Sequence, residues 1–466
     1  MKYTVLLIVL PLLLAFVSIL FKKGKENFLY LGILGNLVLL FMIGHGEYAI
    51  GGFLKPYGIT LVLDQYSQIG VVLINILFFL SIFTHMNKIK GYSTVLLTLL
   101  AGLNGLLLTG DLFNLFVFLE ITSISAYILT TQSKKYYDTF HYLIVGSVGS
   151  GLYLLGTIML YATYGSLNLS VIGSEITSGA AVILPLLLIF VGLSVETKLF
   201  PVNGWVKNIY KNANGLVATI MASIVASTSL FVIGRILNEL FVGSFFNTII
   251  IIIAVITMVS GELAAFNGKS IKEILLFSSI GQGGLITLLM ITGFIFPAVI
   301  IIINNALSKM IMFSIGDFLS PKDSDYSSLK GSFHEHKLLG LAFTTASFSL
   351  IGLPLFLGFY AKVNTLIGLF NISMLLPIVV LLITIVEGAY LIRLNISLWH
   401  PAEEGHADLP YKNKNKYDYK IAVTVCLLAA ILIIGGLYPE KYGETLTDKP
   451  LLNDQYDYLL DMKGGM

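Results

Sequence analysis

The sequence predicts an all-α protein that crosses a membrane many times. Hydrophobic residues make up 56% of the 466 positions and charged residues only 12%, and the mean hydropathy is +0.88. A soluble domain of this length needs far more polar surface than these residues supply. Apolar runs of membrane-spanning length also recur from one end of the chain to the other. The chain is therefore predicted to be a polytopic membrane protein rather than a soluble domain.

About fourteen transmembrane helices are predicted from the spacing of the apolar runs. Pro201 and Pro354 fall inside the seventh and the twelfth runs, where each removes a backbone hydrogen bond and frees carbonyl groups. We therefore expect these two helices to be interrupted. The runs lie approximately at 3–21, 27–44, 65–84, 92–109, 111–130, 139–162, 181–206, 215–238, 246–266, 273–292, 296–317, 338–370, 373–397 and 420–438.

Both interrupted runs carry a lysine close to the proline. Lys198 precedes Pro201 by three residues, and Lys362 follows Pro354 by eight. A lysine inside an apolar helix costs roughly 2.5–3.5 kcal/mol on membrane-insertion scales, so packing alone does not explain these positions. Interrupted helices that carry buried charges are typical of ion pathways. The pattern predicts an ion or proton path through the membrane.

Basic residues mark one side of the predicted membrane protein. Lysines follow every odd-numbered helix, whereas the alternate loops are short and nearly uncharged. By the positive-inside rule the lysine-rich loops are cytoplasmic, so both termini are predicted to face outward from the cell membrane. The lysines are Lys22, Lys23, Lys25, Lys88, Lys90, Lys134, Lys135, Lys207, Lys211, Lys269, Lys272, Lys322, Lys330, Lys412, Lys414, Lys416 and Lys420.

Several classes of site have no candidate residues in this sequence. Cys426 is the only cysteine, which excludes disulfides, iron–sulfur clusters and cysteine-ligated metals, and no two histidines are placed to hold a haem. No phosphate-binding loop or dinucleotide fingerprint is present, and no basic run suggests nucleic acid. We therefore predict no cofactor, no metal and no catalytic residue. Moving a proton against 100 mV requires about 2.3 kcal/mol, so the energy has to come from a partner.

Six segments of the chain resemble segments of one family of membrane proteins. They are GEYAIGGFLKPYGITLVLDQYSQI (46–69), DLFNLFVFLEITSISAYIL (111–129), HYLIVGSVGSGLYLLG (141–156), SIKEILLFSSIGQGG (270–284), NNALSKMIMFSIGD (304–317) and IGLPLFLGFYAK (351–362). The family is that of the antiporter-like subunits, found as the A-type and D-type subunits of Mrp sodium/proton antiporters, the large membrane subunits of respiratory complex I and relatives in membrane-bound hydrogenases. The GG–P–GI–LV–D pattern of the first segment is more similar to the D-type Mrp subunits.

The resemblance implies a fold and a set of partners. The implied fold has fourteen helices with two inverted five-helix repeats and broken helices seven and twelve. Its divisions are 1–91 for helices one to three, 92–240 for the first repeat, 241–399 for the second, and 400–466 for a cytoplasmic loop, helix fourteen and an outer tail. The implied partners are other membrane subunits, including further antiporter-like ones, with a ferredoxin- or quinone-linked redox module or sodium exchange as the energy source. The tail is too short for the lateral helix of the largest members, which favours the D type.

The resemblance also implies a route for protons. Glu120 matches the family's glutamate of the fifth helix, which pairs with the lysine of the seventh helix, here Lys198. Moving the carboxylate away favours release of the lysine's proton. Lys309 matches the central lysine of helix eleven, and Lys362 matches the helix-twelve position that passes the proton outward. Burial and neighbouring charges make lysine a workable relay group.

Three positions depart from the family pattern. Ser227 stands where the family usually has a lysine in helix eight, Asn305 where many members have a histidine, and His141 where they have a helix-six lysine. A hydroxyl passes a proton or orients water but stores no charge. His141 is a candidate proton-uptake group, and Ser278 and Gln282 are candidates for a water-lining patch beside the central lysine. The departures weaken the predicted inner half of the route.

Each candidate also has a structural alternative. The pair of Glu120 and Lys198 is compatible with a static contact between helices, because a buried ion pair also fixes packing. Lys309 and Lys362 are compatible with lysines that snorkel to an interface. His141 is equally compatible with an interfacial anchor, and the polar residues of helix ten with ordinary helix packing.

Three other intramembrane charges are assigned structural roles. Glu262 and Arg393 lie close to predicted helix ends, and Glu387 is expected to be satisfied within helix thirteen or by another subunit. For the whole chain, two alternatives to a proton-translocating subunit stay open. One is a standalone secondary transporter, and the other is a non-conducting subunit that only links redox and antiporter modules.

Overall fold

Most of the chain folds into helices. In the computed structural model, ten helices of the described residues are long and apolar enough to cross a membrane, and five shorter helices are also apolar. The predicted cytoplasmic loop at 402–418, the outer tail at 439–466 and several of the loop lysines lie outside the described residues. The structure describes residues 3–21, 23–53, 55–85, 91–176, 179–241, 246–320, 324–401 and 419–438.

The N-terminal part combines three helices with a short β-hairpin. Lys55 anchors the hairpin, because its ammonium contacts the Glu47 carboxylate at 2.6 Å and the Ser170 hydroxyl at 2.6 Å. The all-α prediction missed this hairpin, since two four-residue strands are too short to show an alternating pattern. The elements are α1 (Leu6–Ile19), α2 (Lys25–Met42), the antiparallel strands β1 (Gly46–Ala49) and β2 (Thr60–Leu63), and α3 (Gln65–Thr84).

The middle of the chain forms a second group of helices, in which α6 and α8 pack with almost no gap. A Cβ atom on Gly192 would lie 2.6 Å from the Gly149 carbonyl oxygen, an approach that only glycine permits. This contact fixes the position of α8. The elements are α4 (Ser93–Leu108), α5 (Leu112–Thr130), α6 (Tyr136–Tyr164), α7 (Leu169–Glu175), α8 (Ala180–Thr197), α9 (Val206–Asn212), α10 (Gly215–Thr219), a π-helical turn (Ile220–Val225) and α11 (Ala226–Leu240).

The third group contains two almost fully buried helices, α13 and α14. α12 and α13 cross at glycines: a Cβ atom on Gly261 would lie 2.4 Å from the Gly281 nitrogen. Polar side chains on α13 and α14 therefore face protein rather than lipid. The elements are α12 (Phe246–Phe266), α13 (Ile271–Ile291), α14 (Ile295–Leu319), α15 (Ser332–Glu335), α16 (Lys337–Ile351), α17 (Leu357–Phe370), α18 (Leu375–Trp399) and α19 (Tyr419–Leu437).

α8 and α16 end in the same way, and each is followed by a break. Lys198 and Gly352 take left-handed conformations, with φ of 62° and 82°. In both places the N–H of the following leucine bonds to the carbonyl oxygen five residues earlier, at 3.0 Å. These bonds are those of a Schellman termination, which stops a helix by satisfying its last carbonyl groups. Pro201 lies in the break between α8 and α9, and Pro354 in the break between α16 and α17.

A buried ion pair joins the start of α3 to α11. Asp64 caps α3 by accepting a hydrogen bond from the Ser67 N–H at 2.7 Å. Arg235 donates from Nη2 to both carboxylate oxygens of Asp64, at 2.9 Å each. Both side chains are almost fully buried. Removing one partner of such a pair leaves the other charge without compensation.

Asp64→Asn is expected to lower the free energy of unfolding by about 3–5 kcal/mol, because it leaves the buried Arg235 guanidinium without a counter-charge. The amide oxygen still caps α3, so loss of the cap is not the cause. The melting temperature of the purified protein in detergent measures the effect. Asp325→Asn is the matched control, because Asp325 is an exposed aspartate that caps a short turn through the Ser327 N–H. Equal shifts in the two variants would contradict the prediction.

Candidate functional site

Seven charged side chains of the described residues form a row through the bundle. Each member lies within electrostatic range of the next. Four of them are the residues of the route predicted from the sequence, whereas Glu196, Glu262 and Glu387 were not predicted to belong to it. We call this set the charged row, and it consists of Glu120, Glu196, Lys198, Lys309, Glu262, Glu387 and Lys362.

Lys198 occupies a strained position at the end of α8. Its φ of 62° lies in the left-handed region, which non-glycine residues seldom adopt and which costs on the order of 1–3 kcal/mol. The side chain is 3% exposed. Its ammonium donates a hydrogen bond to the Tyr210 hydroxyl at 2.6 Å and lies 4.7 Å from the centre of that ring. The break after α8 thus returns Tyr210, on α9, to the lysine.

The carboxylate placed beside Lys198 is Glu196 rather than Glu120. Glu196 interacts electrostatically with Lys198, and its Oε1 accepts a hydrogen bond from Ser123 on α5 at 3.0 Å. Glu120 lies one turn before Ser123 and interacts with Glu196, but the structure, which describes both residues, shows no hydrogen bond or ion pair between Glu120 and Lys198. The predicted pair therefore stays a prediction. The sequence feature that could have identified Glu196 is its position two residues before the buried Lys198.

Two of the predicted polar residues, Ser227 on α11 and Asn305 on α14, are buried in the bundle. The Ser227 hydroxyl donates to the Ser223 carbonyl oxygen of its own helix at 2.6 Å. Asn305 is 1% exposed, and its Oδ1 has no hydrogen-bond partner among the described residues. The π-helical turn at 220–225 precedes Ser227, and such turns are frequent at functional sites. This turn was not predicted, because a π-helical turn leaves no clear pattern in the sequence.

Lys309 is fully buried in the middle of α14. Its ammonium donates to the Ser278 hydroxyl at 2.7 Å and to the Leu275 carbonyl oxygen at 3.0 Å, both on α13. It lies within electrostatic range of Lys198 on one side and of Glu262 and Glu387 on the other. The structure thus places Ser278, a predicted polar neighbour, in direct contact with the central lysine.

Lys362 lies on α17, after the second break. Its ammonium contacts Glu387 Oε2 at 2.5 Å and donates to the Ile351 carbonyl oxygen at the end of α16 at 3.2 Å. Glu387 Oε1 accepts a hydrogen bond from the Gln282 amide at 2.8 Å. The expectation that Glu387 is satisfied within its own helix or by another subunit was wrong, because α18 packs its carboxylate against α17 and α13. The break leaves the Ile351 carbonyl oxygen available to accept this hydrogen bond.

Glu262 also belongs to the charged row, although its place near the end of α12 suggested a structural role. It is 1% exposed, and its Oε2 accepts a hydrogen bond from the Tyr390 hydroxyl at 2.7 Å. Arg393 behaves as expected of a structural residue: it donates to the Phe266 carbonyl oxygen at 2.5 Å and lies over the Phe266 ring. Distance from a helix end was thus a poor guide to burial.

His141 lies outside the charged row. It is exposed near the start of α6, while the next residue, Tyr142, is buried and stacks on Trp205 with ring centres 4.0 Å apart. Trp205 belongs to the break after α8, so this stack ties the break to α6. His141 stays a candidate for proton uptake. Across the described ranges, no three side chains of the histidine, cysteine, aspartate or glutamate type are grouped to hold a metal ion.

Lysines and glutamates aligned through a bundle of apolar helices define a multi-pass membrane protein with a charged interior. The chain belongs to the NADH:quinone oxidoreductase/Mrp antiporter family, which matches residues 109–387. It is an antiporter-like membrane subunit of the kind found in complex I and Mrp complexes, which confirms the resemblance seen in the six sequence segments.

Two relatives match almost the whole chain. The N-type subunit of the NADH-quinone oxidoreductase of Desulforudis audaxviator is 28% identical, over 94% of this chain and 96% of the relative. The D-type subunit of the Na(+)/H(+) antiporter of Alkalihalophilus pseudofirmus is 26% identical, over 96% of this chain and 97% of the relative. The sequence is thus similar to subunits of both a redox complex and an ion exchanger.

Two solved structures contain chains of the same fold. A chain of the archaeal membrane-bound sulfane sulfur reductase superposes with a TM-score of 0.86 and 28% identity, over 96% of each chain. A chain of the Mrp complex from Dietzia sp. superposes with a TM-score of 0.84 and 20% identity, over 95% of this chain and 96% of the other. The second likeness is one of fold alone.

Proposed function

We propose that this chain moves protons across the membrane along the charged row, as one antiporter-like subunit of a multisubunit complex. The observation that carries the proposal is the position of Lys309. Its fully buried ammonium interacts with Lys198 on one side and with Glu387, the partner of Lys362, on the other. A lysine that connects both halves of a buried charged row has the chemistry of a relay, since a buried ionisable group inside a membrane protein is costly without a function.

The inner half of the proposed route is an electrostatic switch. Glu196 and Glu120 are the carboxylates nearest the Lys198 end of the row, and an approaching carboxylate favours the protonated lysine, whereas its withdrawal favours release. The proton then passes from Lys198 toward Lys309. The buried Asn305 Oδ1 supports this step, because it has no partner among the described residues and needs one that a water molecule on the route would supply.

We further propose fourteen membrane crossings with two inverted repeats, at 92–240 and 241–399. Two features support this arrangement. The broken helices α8–α9 and α16–α17 each count as one crossing, and the two breaks begin with the same pattern of hydrogen bonds. Each break is followed by a segment that returns a polar group or a lysine to the charged row, namely Tyr210 in the first and Lys362 in the second.

The proposed orientation places both termini outside the cell membrane. Loops rich in lysine meet at one end of the bundle: Lys207 contacts Glu273 at 2.6 Å, Asn212 donates to Asp138 at 2.8 Å, and Lys272 donates to the Ala213 carbonyl oxygen at 2.9 Å. Loops that gather on one side of a membrane protein and carry its lysines are cytoplasmic by the positive-inside rule.

The energy for transport is proposed to come from a redox partner. The relative from Desulforudis belongs to a quinone oxidoreductase, and the sulfane sulfur reductase is a respiratory membrane complex, so a redox partner is supported by the names of two similar proteins. Sodium exchange is the second candidate for the energy source. The name of the Alkalihalophilus relative indicates sodium exchange for that protein. Sodium dependence of proton uptake by the purified complex in vesicles separates the two.

A non-conducting linking role is a second candidate, and Ser227 favours it. Its hydroxyl is bonded to its own helix, and it stores no charge where the family usually has a lysine. A high-resolution cryo-EM map of the complex distinguishes the candidates. Ordered water between Lys198 and Lys309 supports conduction, and a dry apolar barrier there supports the linking role.

Lys198→Ala, Glu196→Gln and Glu120→Gln are each expected to reduce proton transport at least about tenfold, because each removes part of the switch and every 1.4 kcal/mol in a barrier is a factor of ten. The double variant Glu196→Gln with Lys198→Ala is expected to be little worse than either single variant, since both residues act through one electrostatic element. Uptake by vesicles that contain the assembled complex is the measurement.

Lys207→Ala is the matched control, because Lys207 is half exposed and lies outside the charged row. It is expected to transport at the wild-type rate. Normal transport by an assembled Lys198→Ala complex would leave the lysine a packing residue and remove the switch from the proposal.

A further inference from the structure

Four charges of the row surround α13, and they are not all paired in the same way. Lys362 and Glu387 contact each other at 2.5 Å. Lys309 and Glu262 have no ion pair of their own among the described residues, and each is hydrogen-bonded only to neutral groups. The two nevertheless lie within electrostatic range of each other. The four charges therefore form one direct ion pair, Lys362 with Glu387, and one pair of opposite charges that are not in contact, Lys309 with Glu262.

Two hydroxyl groups occupy the space between Lys309 and Glu262. The Lys309 ammonium donates to Ser278 Oγ at 2.7 Å, and the Tyr390 hydroxyl donates to Glu262 Oε2 at 2.7 Å. Ser278 also lies within interaction range of the Tyr390 hydroxyl. Each hydroxyl both donates and accepts, so the two together link an ammonium to a carboxylate.

The position of Glu262 is built to hold a carboxyl group in the interior. The side chain is 1% exposed, and a Cβ atom on Gly281 would lie 2.3 Å from Glu262 Oε1, so glycine leaves the room that the carboxyl group fills. A carboxylate buried without a directly paired cation is costly, and such groups persist in membrane proteins mainly where they serve transport.

We propose that Glu262 is a proton-carrying group of this subunit and that it exchanges a proton with Lys309 through the hydroxyls of Ser278 and Tyr390. The idea rests on the proposed function, because it adds a member to the proton route. The Lys309 ammonium gives a proton to Ser278 Oγ, Ser278 gives its own proton to the Tyr390 oxygen, and Tyr390 gives its own to Glu262 Oε2. The net change converts an ammonium and a carboxylate into a neutral amine and a neutral carboxylic acid.

This transfer is favoured by the surroundings of the pair. Neutral groups avoid the desolvation cost that two separated buried charges carry. Four titratable side chains face Glu262: Lys309 from α14, Lys362 from α17, and Glu387 and Tyr390 from α18. Because Glu387 is already held by Lys362, the charge of Lys309 is the one that Glu262 balances. Each proton that arrives at Lys309 then changes the protonation state, and so the charge, of Glu262.

Infrared difference spectroscopy of the purified complex tests the proton on Glu262 directly. A pH titration of the wild type is expected to show a protonated-carboxyl band that is absent in Glu262→Gln and present in Glu175→Gln, an exposed control glutamate. Tyr390→Phe removes the hydroxyl that donates to the carboxylate, so it is expected to shift the frequency of the band. Identical carboxyl spectra in the wild type and in Glu262→Gln would overturn the proposal.

Proton uptake by vesicles that contain the assembled complex tests the connection to transport. Glu262→Gln and Tyr390→Phe are expected to lower the rate at least about tenfold, and Glu262→Asp to keep part of it because the carboxyl group is retained. Wild-type rates in Glu262→Gln, with Lys309→Leu inactive, would refute the role of Glu262 and leave the proposed function intact. A wild-type complex without proton transport would refute the proposed function, and the infrared band would still decide whether Glu262 holds a proton. If Glu262→Gln fails to assemble, the infrared titration and the proton-uptake measurement are both made on Tyr390→Phe.

Discussion

Lys309→Leu is expected to abolish proton transport while the complex still assembles. The variant removes the proposed relay group at the centre of the charged row, whose ammonium donates to both Ser278 and Leu275. The fold is expected to tolerate the change, because Lys309 forms no direct ion pair among the described residues and Glu262 avoids an uncompensated charge by taking up a proton. Proton uptake by vesicles measures the loss, and gel filtration of the purified complex measures assembly.

Lys309→Arg separates a relay from a structural charge. Arginine keeps the positive charge and the hydrogen-bond donors but does not release its proton in proteins. A relay therefore fails in both Lys309→Arg and Lys309→Leu, whereas a lysine that only holds α13 against α14 still functions as arginine. Lys337→Leu is the matched control, because Lys337 is exposed at the start of α16. Transport by the arginine variant at the wild-type rate would contradict the proposed role.

Breaking the Lys362–Glu387 pair is expected to have the second-largest effect, on stability and on transport together. Lys362→Met and Glu387→Gln each leave one buried charge uncompensated, which costs about 3–5 kcal/mol. The double variant removes both charges, so it is expected to regain most of the lost stability. Transport is expected to stay low in all three, because the double variant has no group left to carry the proton outward. The melting temperature and proton uptake are measured on the same samples.

This comparison decides between a relay and an anchor at Lys362. An anchor requires only a stable structure, so recovery of transport in the stable double variant would contradict a relay. Lys207→Met with Glu273→Gln supplies the matched control pair, because its side chains are 51% and 22% exposed. Exposed ion pairs contribute about 0–1 kcal/mol, so the control variants are expected to differ little from the wild type.

The sequence by itself determined the class of protein, the two interrupted helices and the buried lysines of the charged row. These features are local: apolar length predicts a membrane span, proline removes a hydrogen bond within its own helix, and a lysine in an apolar run is costly wherever it packs. The motifs of the six segments also determined the family, since they lie largely within the matched residues 109–387. The pairing of Glu120 with Lys198 and the division into repeats stay predictions.

Only the tertiary structure decided which carboxylates join the charged row and what they contact. Glu262 is joined to Tyr390 across 128 positions of sequence, and Glu387 meets Lys362 across 25, so no local spacing reveals either contact. Both depend on how closely the helices pack, which at α12 and α13 is set by glycines that admit backbone to backbone contact. A helix rotated by one residue would carry these carboxylates away from their partners, because successive residues of a helix point about 100° apart.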